Sequence, residues 1–413
     1  MASQPQSAAI LSFDQAYDRV LRYCSAIELP GGVDVPLSAA LGRVLAESVT
    51  ADRDFPPFPR STRDGYAIRA VETVNPPASF TVIGQIRAGG SFDESVRPGE
   101  SVEIMTGAAV PSGADAVVML EHIKREGDHL VVPRTLTPGE NVVARGAEAK
   151  AGHELLSRGM RLGPAQIAMA AAVGKANLAA YDKPSVAVLA TGDELVEVNQ
   201  SPGPQQIRNS NSYSLEAKVA QCGGEPLRLP IAPDEERKLT TLIHAALENS
   251  QMLLLSGGVS MGKFDLVEAA LAKLGATFFF TGAEIQPGRP VVFGEVKANG
   301  RKIPFFGLPG NPVSVMVTFD LFAKPVLHAL AGARPERLKT AKAQLRTQFR
   351  TKTGLTRFLP ARLTGGVFEP QVEVVPWKGS GDMLAMAQAN CYLVVPPDRE
   401  QLEAGEMVSV LFP

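Results

Sequence analysis

The chain is poor in the residues that build metal and redox centres. Its 413 residues include three cysteines, Cys24, Cys222 and Cys391, and five histidines. The cysteines lie far apart and make no metal-type pair, which points to free buried thiols in a reducing compartment rather than a disulfide framework. The scattered histidines leave no zinc pattern. Net charge is nearly absent as well. Lys and Arg total 41 against 43 Asp and Glu, a formal charge of −2, so the chain has no electrostatic footprint for nucleic acid or an anionic membrane. The first nine residues are polar and hold no apolar signal core. No apolar run approaches the roughly 20 residues of a membrane span. These absences set the expectation of a soluble cytoplasmic protein with neither nucleic-acid nor membrane partners. Hydrophobic residues, by contrast, make up 45% of the chain, enough for sizeable cores, and this length predicts about two to four domains.

One stretch organises the rest. Gln251-Met252-Leu253-Leu254-Leu255 is a short apolar run of the buried parallel-strand type. It feeds into Ser256-Gly257-Gly258-Val259-Ser260-Met261-Gly262, and Asp265 follows. Val267, Ala270, Leu271 and Leu274 then fall at helical spacing, and Gly275 supplies a stop. Strand, glycine loop and helix in this order aim free backbone N–H groups at an anion. The loop has no Gly-Lys-Ser/Thr ending and no three-glycine dinucleotide fingerprint. A tight turn between strand and helix is the plain alternative.

Around it the chain divides. Ser12 with Gln15 three residues on predicts a capped helix ending near Ser25, and a second short helix is expected over 37–46. Three prolines between 54 and 63 mark a boundary. Residues 64–145 read as all-β, with strands at 80–83, 101–105, 116–119 and 129–132, so a small barrel or sandwich fits. Gly163-Pro164 opens a helix running to about Val173. From 185 the pattern alternates. A strand at 185–190 precedes Thr191-Gly192-Asp193-Glu194, and helix, strand and helix follow, the last capped by Asp234. A further strand at 303–306 precedes Gly307-Leu308-Pro309-Gly310-Asn311-Pro312 and a helix to Ala331. This is a mostly parallel sheet with helices on both faces, and ligands of such sheets bind at the strands' carboxyl ends. Arg334-Pro335 breaks the chain, and β signals return to the end. The expected architecture is multidomain α/β plus β. A doubly wound three-layer α/β domain (181–333) is flanked by two small β-barrel-like domains (56–145 and 334–413) and a helical or extended N-terminal region (1–55 with 146–180).

Glu194, Asp193, Asp234 and Asp265 each sit beyond a predicted strand or at a helix start. Acidic groups beside anion-binding loops suggest Mg²⁺ between carboxylate and phosphate. Asp234 and Asp265 are equally well explained as helix caps, whereas Glu194, after a glycine turn, is not. Gly310-Asn311-Pro312-Val313-Ser314 offers a second helix N-terminus. Asp64-Gly65 and Thr106-Gly107 read alone as turns. Arg362, and Ser380 between Gly379 and Gly381, have the chemistry of an oxyanion site, though the surface is the commoner place for both.

Together the motifs are far more specific. The chain resembles the molybdopterin molybdenumtransferase (MoeA) family, which includes the C-terminal domain of gephyrin. The resemblance rests on Leu41-Gly42-Arg43-Val44-Leu45-Ala46, Pro56-Pro57-Phe58, Asp64-Gly65-Tyr66-Ala67, Ile104-Met105-Thr106-Gly107-Ala108, Gly113-Ala114-Asp115-Ala116-Val117, Thr191-Gly192-Asp193-Glu194-Leu195, Ser256-Gly257-Gly258-Val259-Ser260, Pro287-Gly288-Arg289-Pro290 and Gly307-Leu308-Pro309-Gly310-Asn311-Pro312-Val313-Ser314, over nearly the whole length. It implies an enzyme that takes adenylylated molybdopterin and molybdate, cleaves the pyrophosphate link with Mg²⁺ and releases AMP. It also implies an elongated homodimer, with the molybdopterin adenylyltransferase that makes the substrate as pathway partner.

The resemblance places family functional positions on Asp64, Thr106, Glu194, Asp234 and Asp265 as catalytic residues, with Glu194 and Asp265 for the metal. Arg362 and Ser380 are carried over from the last domain, and the rim loops contribute Ser256, Gly257, Gly258, Ser260, Pro309, Gly310, Asn311, Ser314 and Arg289 to substrate binding. Two family lysines are replaced by Gln286 and Gly282, so positive charge is expected from Arg289, Lys263 or Arg362. Competing readings are the adenylyltransferase itself, which needs only the α/β domain, and a non-catalytic gephyrin-like scaffold, which the retained acidic set opposes.

Overall fold

The computed structural model describes residues 10–29, 31–258 and 266–413. Helix α1 (Phe13–Ser25) begins with the expected capping box: the Ser12 hydroxyl accepts from the Gln15 N–H, and the Gln15 side chain accepts from the Ser12 N–H. Its buried face is Ala16, Tyr17, Val20 and Cys24. The helix expected over 37–46 is only a 3₁₀ turn, Leu37–Ala39. Gly42 takes a positive φ of 77°, which turns the chain out of any helix. Val33–Pro36 instead pairs with Asn177–Ala180, and Val49–Thr50 with Glu154–Leu156, so the N-terminal region is assembled from distant segments. Helix α2 (Pro164–Ala172) starts at Gly163-Pro164 as predicted.

The first β domain is one six-stranded sheet. Its strands are β1 (Gly65–Ile68), β2 (Ala78–Ile86), β3 (Glu100–Ile104), β4 (Ala116–Met119), β5 (Lys124–Glu126) and β6 (His129–Val132), in the order β4-β1-β3-β2-β6-β5. Alternation along β1 sends Tyr66 and Ile68 into one cluster and Ala67 into another, so both faces are covered.

The α/β domain carries β7 (Ser185–Ala190), α3 (Ser210–Gln221), β8 (Glu225–Arg228), α4 (Glu236–Asn249), β9 (Met252–Ser256) and α5 (Leu266–Lys273). Then come β10 (Thr277–Phe280), the short β11 (Ile285–Gln286), β12 (Val292–Ala298), β13 (Arg301–Leu308), α6 (Pro312–Thr318) and α7 (Lys324–Leu330). The sheet order is β8-β7-β9-β13-β12-β10. The first four strands are parallel; β12 and β10 are an antiparallel edge that the reading of the sequence did not anticipate, with Asn299-Gly300 at positive φ making the turn from β12 into β13. Val186 and Val188 face the layer of α1, α3, α6 and α7, while Ala187 and Leu189 face α4 and α5.

Two expectations are corrected here. Asp234 is not a helix cap: α4 begins at Glu236, with Glu235 at the cap making no side-chain bond. And one segment does reach membrane-spanning length, the 19-residue Pro312–Leu330, but 72% of its most apolar 18-residue window is buried inside the protein. The apolar length is spent on the core: α6 and α7, joined by the π-helical turn Phe319–Ala323, pack against the sheet.

The last domain is a closed barrel. Strands β14 (Thr340–Leu345), β15 (Thr356–Gly365), β16 (Pro370–Val374), β17 (Cys391–Val395) and β18 (Met407–Leu411) form the ladder β15-β16-β14-β18-β17, and β17 pairs back onto β15. Strand β11, which leaves the α/β domain, adds to β15 in parallel, with Gln286 opposite Arg357. Phe358, Tyr392 and Leu411 of the barrel enter the α/β core. Tyr392 also donates its hydroxyl to Asp320 at 2.8 Å, where Lys218 completes a buried ion pair at 2.8 Å. The two domains are therefore joined by both apolar and polar contacts.

Candidate active site

Register makes the rim. Ala190 of β7 lies opposite Ser256 of β9, and Ser256 lies opposite Leu308 of β13. Thr191, Gly257 and Pro309 therefore leave the sheet side by side. The loops are cross-braced: Thr191 N–H donates to the Ser256 carbonyl at 3.0 Å, and Gly257 N–H to the Leu308 carbonyl at 3.2 Å. Gly257 and Gly258 both take positive φ, and a Cβ on Gly258 would stand 2.7 Å from Val267 and 2.9 Å from the Thr191 methyl. This close approach is why the glycines are there. Ser260 and Asp265 lie outside the described residues.

The acidic residues fall on two touching loops. The Thr191 hydroxyl donates to Asp234 Oδ1 at 2.9 Å, and the Asp234 N–H donates to Asp193 Oδ1 at 3.1 Å. Glu194 is exposed, with its carboxylate folded against Gly192, where a Cβ would meet it. Among the described residues no group of three or more His, Cys, Asp or Glu could hold a metal ion. Two polar atoms at the rim are buried without a hydrogen-bond partner among the described residues, the Ser256 hydroxyl and the Asn211 amide oxygen. The Asn211 amide nitrogen donates to the Gly310 carbonyl at 2.7 Å.

Beside the rim is a cavity of about 450 Å³ between the α/β domain and the barrel. Pro309, Asn311 and Ser314 line it from the α6 end, Arg289 from the segment after β11, and Ser380 from the barrel. Ser380 is anchored by its backbone, its carbonyl accepting from the Val313 N–H at 3.0 Å. Residues far apart in sequence thus share one cavity. Gln286, Leu355 and Trp377 also line it. Leu355 and Trp377 carried no signal in the sequence, because their placement depends on the pairing of β11 with β15. A larger cleft of about 750 Å³ lies near the far end of the Pro312–Leu330 segment, lined among others by Arg158, Arg161, Lys324 and His328. None of the loops that follow β7, β9 and β13 lines it, so the smaller cavity is the candidate site.

The expected residues Glu194, Asp234, Ser256, Gly257, Gly258 and Gly310 belong to the rim and do not line this cavity, and neither do Arg362, Asp64 and Thr106. Arg362 donates through Nε and Nη2 to the Gln388 carbonyl at 3.3 and 3.2 Å, at the C-terminal end of helix α8 (Met383–Gln388). There it satisfies an orphan helix carbonyl, a role sequence could not separate from anion binding. Asp64 and Thr106 sit together on the first β domain. Asp64 Oδ1 accepts from the Thr106 backbone N–H at 2.6 Å and its hydroxyl at 2.8 Å. Those bonds, the backbone one first, hold the Asp64 carboxyl below its ordinary range.

Comparison with known proteins fits this geometry. Residues 187–329 match the model of a probable molybdopterin binding domain, residues 11–174 the MoeA N-terminal region (domains I and II), and residues 342–412 the MoeA C-terminal region (domain IV). Fold and site together define a multidomain protein built around a molybdopterin-binding α/β domain. Among curated relatives, the molybdopterin molybdenumtransferase of Nostoc sp. is 36% identical over 91% of this chain and 88% of its own length. That of Bacillus subtilis is 34% identical over 91% and 89%. The solved molybdopterin biosynthesis moeA protein of Pyrococcus horikoshii superposes with a TM-score of 0.79 at 32% identity, covering 98% of this chain and all of that one. The chain belongs to the molybdopterin molybdenumtransferase family, transferases of molybdenum cofactor biosynthesis.

Proposed function

We propose that this chain transfers molybdenum from molybdate to adenylylated molybdopterin, with AMP leaving as the pyrophosphate link breaks. The observation that carries this reading is the single cavity in which α/β loop residues Pro309, Asn311 and Ser314 meet Arg289 and Ser380. It has the volume of a small-molecule site. The helix N-terminus at Asn311 and the glycine loop after β9 offer backbone donors for phosphate oxygens, and Arg289 offers a permanent charge.

Mg²⁺ fits the donor set of the rim. Glu194 and Asp234 stand on adjoining loops, and an ion shared with substrate phosphates needs only one or two protein carboxylates. Glu194 would hold it together with Asp265, and when bound it would neutralise the phosphate charge of the leaving AMP. Around it the chain's own residues orient the substrate. The Thr191 hydroxyl fixes the Asp234 carboxylate, and the glycines admit the phosphates close to backbone. Asp64 and Thr106 act on the site of the partner subunit in a homodimer, a reading supported by their exposure and their absence from the cavity lining of their own chain.

The test is direct. Purified protein is mixed with adenylylated molybdopterin, Mg²⁺ and molybdate, and AMP and molybdenum-loaded cofactor are measured. Stoichiometric appearance of both is expected. Intact substrate after prolonged incubation would refute the assignment.

A further inference from the structure

The chain carries a formal charge of −2, yet its 750 Å³ cleft is basic. Arg158, Arg161, Lys324, Arg334, Arg337 and Lys339 line it against two carboxylates, Asp320 and Glu336. Both carboxylates are already engaged. Asp320 is held by Lys218 and Tyr392, and Glu336 pairs with Lys339 at 2.7 Å. Arg337 turns to Asp18 of α1 at 3.2 Å. Arg158, Arg161, Lys324 and Arg334 are left without an ion pair among the described residues.

The fold holds these four in place without counter-ions. Arg158 donates through Nε to the Tyr181 hydroxyl at 2.7 Å, and Arg161 through Nη2 to the Cys222 carbonyl at 3.0 Å. Each spends one nitrogen on a neutral acceptor, so most of its donor fork stays open. The Arg334 stem lies over Gly159, where a Cβ would stand 3.1 Å from its Cγ. Lys324 opens α7. The field of Arg161 and Lys324 reaches the half-buried His328 ring on the same lining, which burial first and then these two cations hold down to about 4. Like charges gathered on a concave wall repel one another, and an anion shared among them relieves that cost. Met160, Leu338 and Phe412 add apolar surface beside them, and the volume is that of a small-molecule site.

We propose that this cleft is a second ligand site, which binds a small organic polyanion bearing phosphate or carboxylate groups. The forks of Arg158 and Arg161 pair with its oxygens, and Lys324 supplies a point charge. The walls come from the N-terminal region, the α/β domain and the end of the barrel, so the bound anion bridges all three. None of its lining residues lines the smaller cavity, so this ligand and the substrate occupy separate places.

The probes are inorganic pyrophosphate and citrate, titrated calorimetrically into the full chain with Tm followed in parallel. Wild-type protein should bind one equivalent of probe per chain, with a rise in Tm. Lys324→Gln removes a charge whose ammonium makes no hydrogen bond among the described residues, so folding is not at risk. It should raise the dissociation constant of the probe at least about tenfold, the size of one lost charge-assisted contact. Arg289→Gln, in the smaller cavity, should change it less than about twofold. Without probe, AMP release by Lys324→Gln should stay within about twofold of wild type. Tighter binding of pyrophosphate would support phosphate groups as the ligand chemistry, and tighter binding of citrate would support carboxylates. No saturable binding of either probe, equal affinity in Lys324→Gln and wild type, or loss of binding in Arg289→Gln would overturn the inference.

Discussion

Gly257 and Gly275 make a matched pair that tests whether the rim depends on close loop contact. Both have left-handed backbone, with φ of +87° and +78°. A Cβ on Gly275 meets nothing within 4 Å, whereas one on Gly257 would overlap the Thr191 carbonyl oxygen. Either Gly→Ala change carries the left-handed penalty of about 1–2 kcal/mol. Gly257→Ala adds an overpacking cost of about 1–3 kcal/mol, because the obstructing atom is backbone and cannot rotate away. For a domain of this kind the difference separates the two Tm values by about 2–12 °C. The functional effects should diverge further. Pushing Thr191 aside also moves Asp234, which its hydroxyl holds at 2.9 Å. AMP release should fall more than roughly tenfold in Gly257→Ala, a barrier change of about 1.4 kcal/mol or more, and stay within about twofold of wild type in Gly275→Ala. The assays are calorimetric unfolding and AMP release on the same preparations. Equal effects of the two variants on both would refute the idea that contact between these loops shapes the site.

Other outcomes follow from the same geometry. Glu194→Gln, which keeps the size and removes the charge, should cut Mg²⁺-dependent AMP release more than roughly tenfold; wild-type rates at limiting Mg²⁺ would remove Glu194 from the metal site. Inactive Asp64→Ala and Glu194→Ala chains, mixed and allowed to exchange subunits, should regain activity, since one composite site per mixed dimer is intact; silence in dimers shown to be mixed would mean each site is built within one chain. His328 is lowered from 6.5 to about 4 by burial first and then by Arg161 and Lys324. The unfolded chain therefore takes up a proton that the folded one refuses between those values. Stability contributed by the neutral ring is present above about pH 6.5 and lost as pH falls toward 4, by at most about 3 kcal/mol. His328→Gln should flatten the fall in Tm between pH 7 and pH 5, and an unchanged slope would exclude this residue as its source.

Local chemistry was legible in the sequence wherever a few neighbouring residues decide it. Ser12 and Gln15 cap α1, Gly163-Pro164 opens α2, and β4 occupies 116–119 as read. Apolar runs located β7, β9 and β13, and their parallel pairing places Thr191, Gly257 and Pro309 on one rim. The antiparallel edge formed by β12 and β10 was missed although Asn299-Gly300, both at positive φ between β12 and β13, is the two-residue hairpin turn that marks it. Hidden features depend on long-range pairing. Ile285–Gln286 does not announce that it will cross into the barrel and lie beside Thr356–Arg357. Asp234 shows the same limit in reverse. A helix does follow it, so capping was a sound local reading, but Asp234 turns instead to the Thr191 hydroxyl, 43 residues away in sequence.

The same contrast governs where the positive charge of the site resides. Gly282 pairs in parallel with Ile10, and a Cβ there would stand 3.0 Å from the Ile10 side chain, so a larger residue at that position would have to displace it. Arg362, an attractive candidate by type alone, is committed to the end of α8. Among the described residues, what remains at the cavity is Arg289 on the wall and Arg357 behind Gln286, and Lys263 lies outside them. An exposed guanidinium is screened by water and salt, whereas a buried one acts through a lower effective dielectric and at shorter range. Gln286 and Arg357 are brought together by the pairing of β11 with β15, so the barrel forms part of the cavity wall rather than an appendage to it.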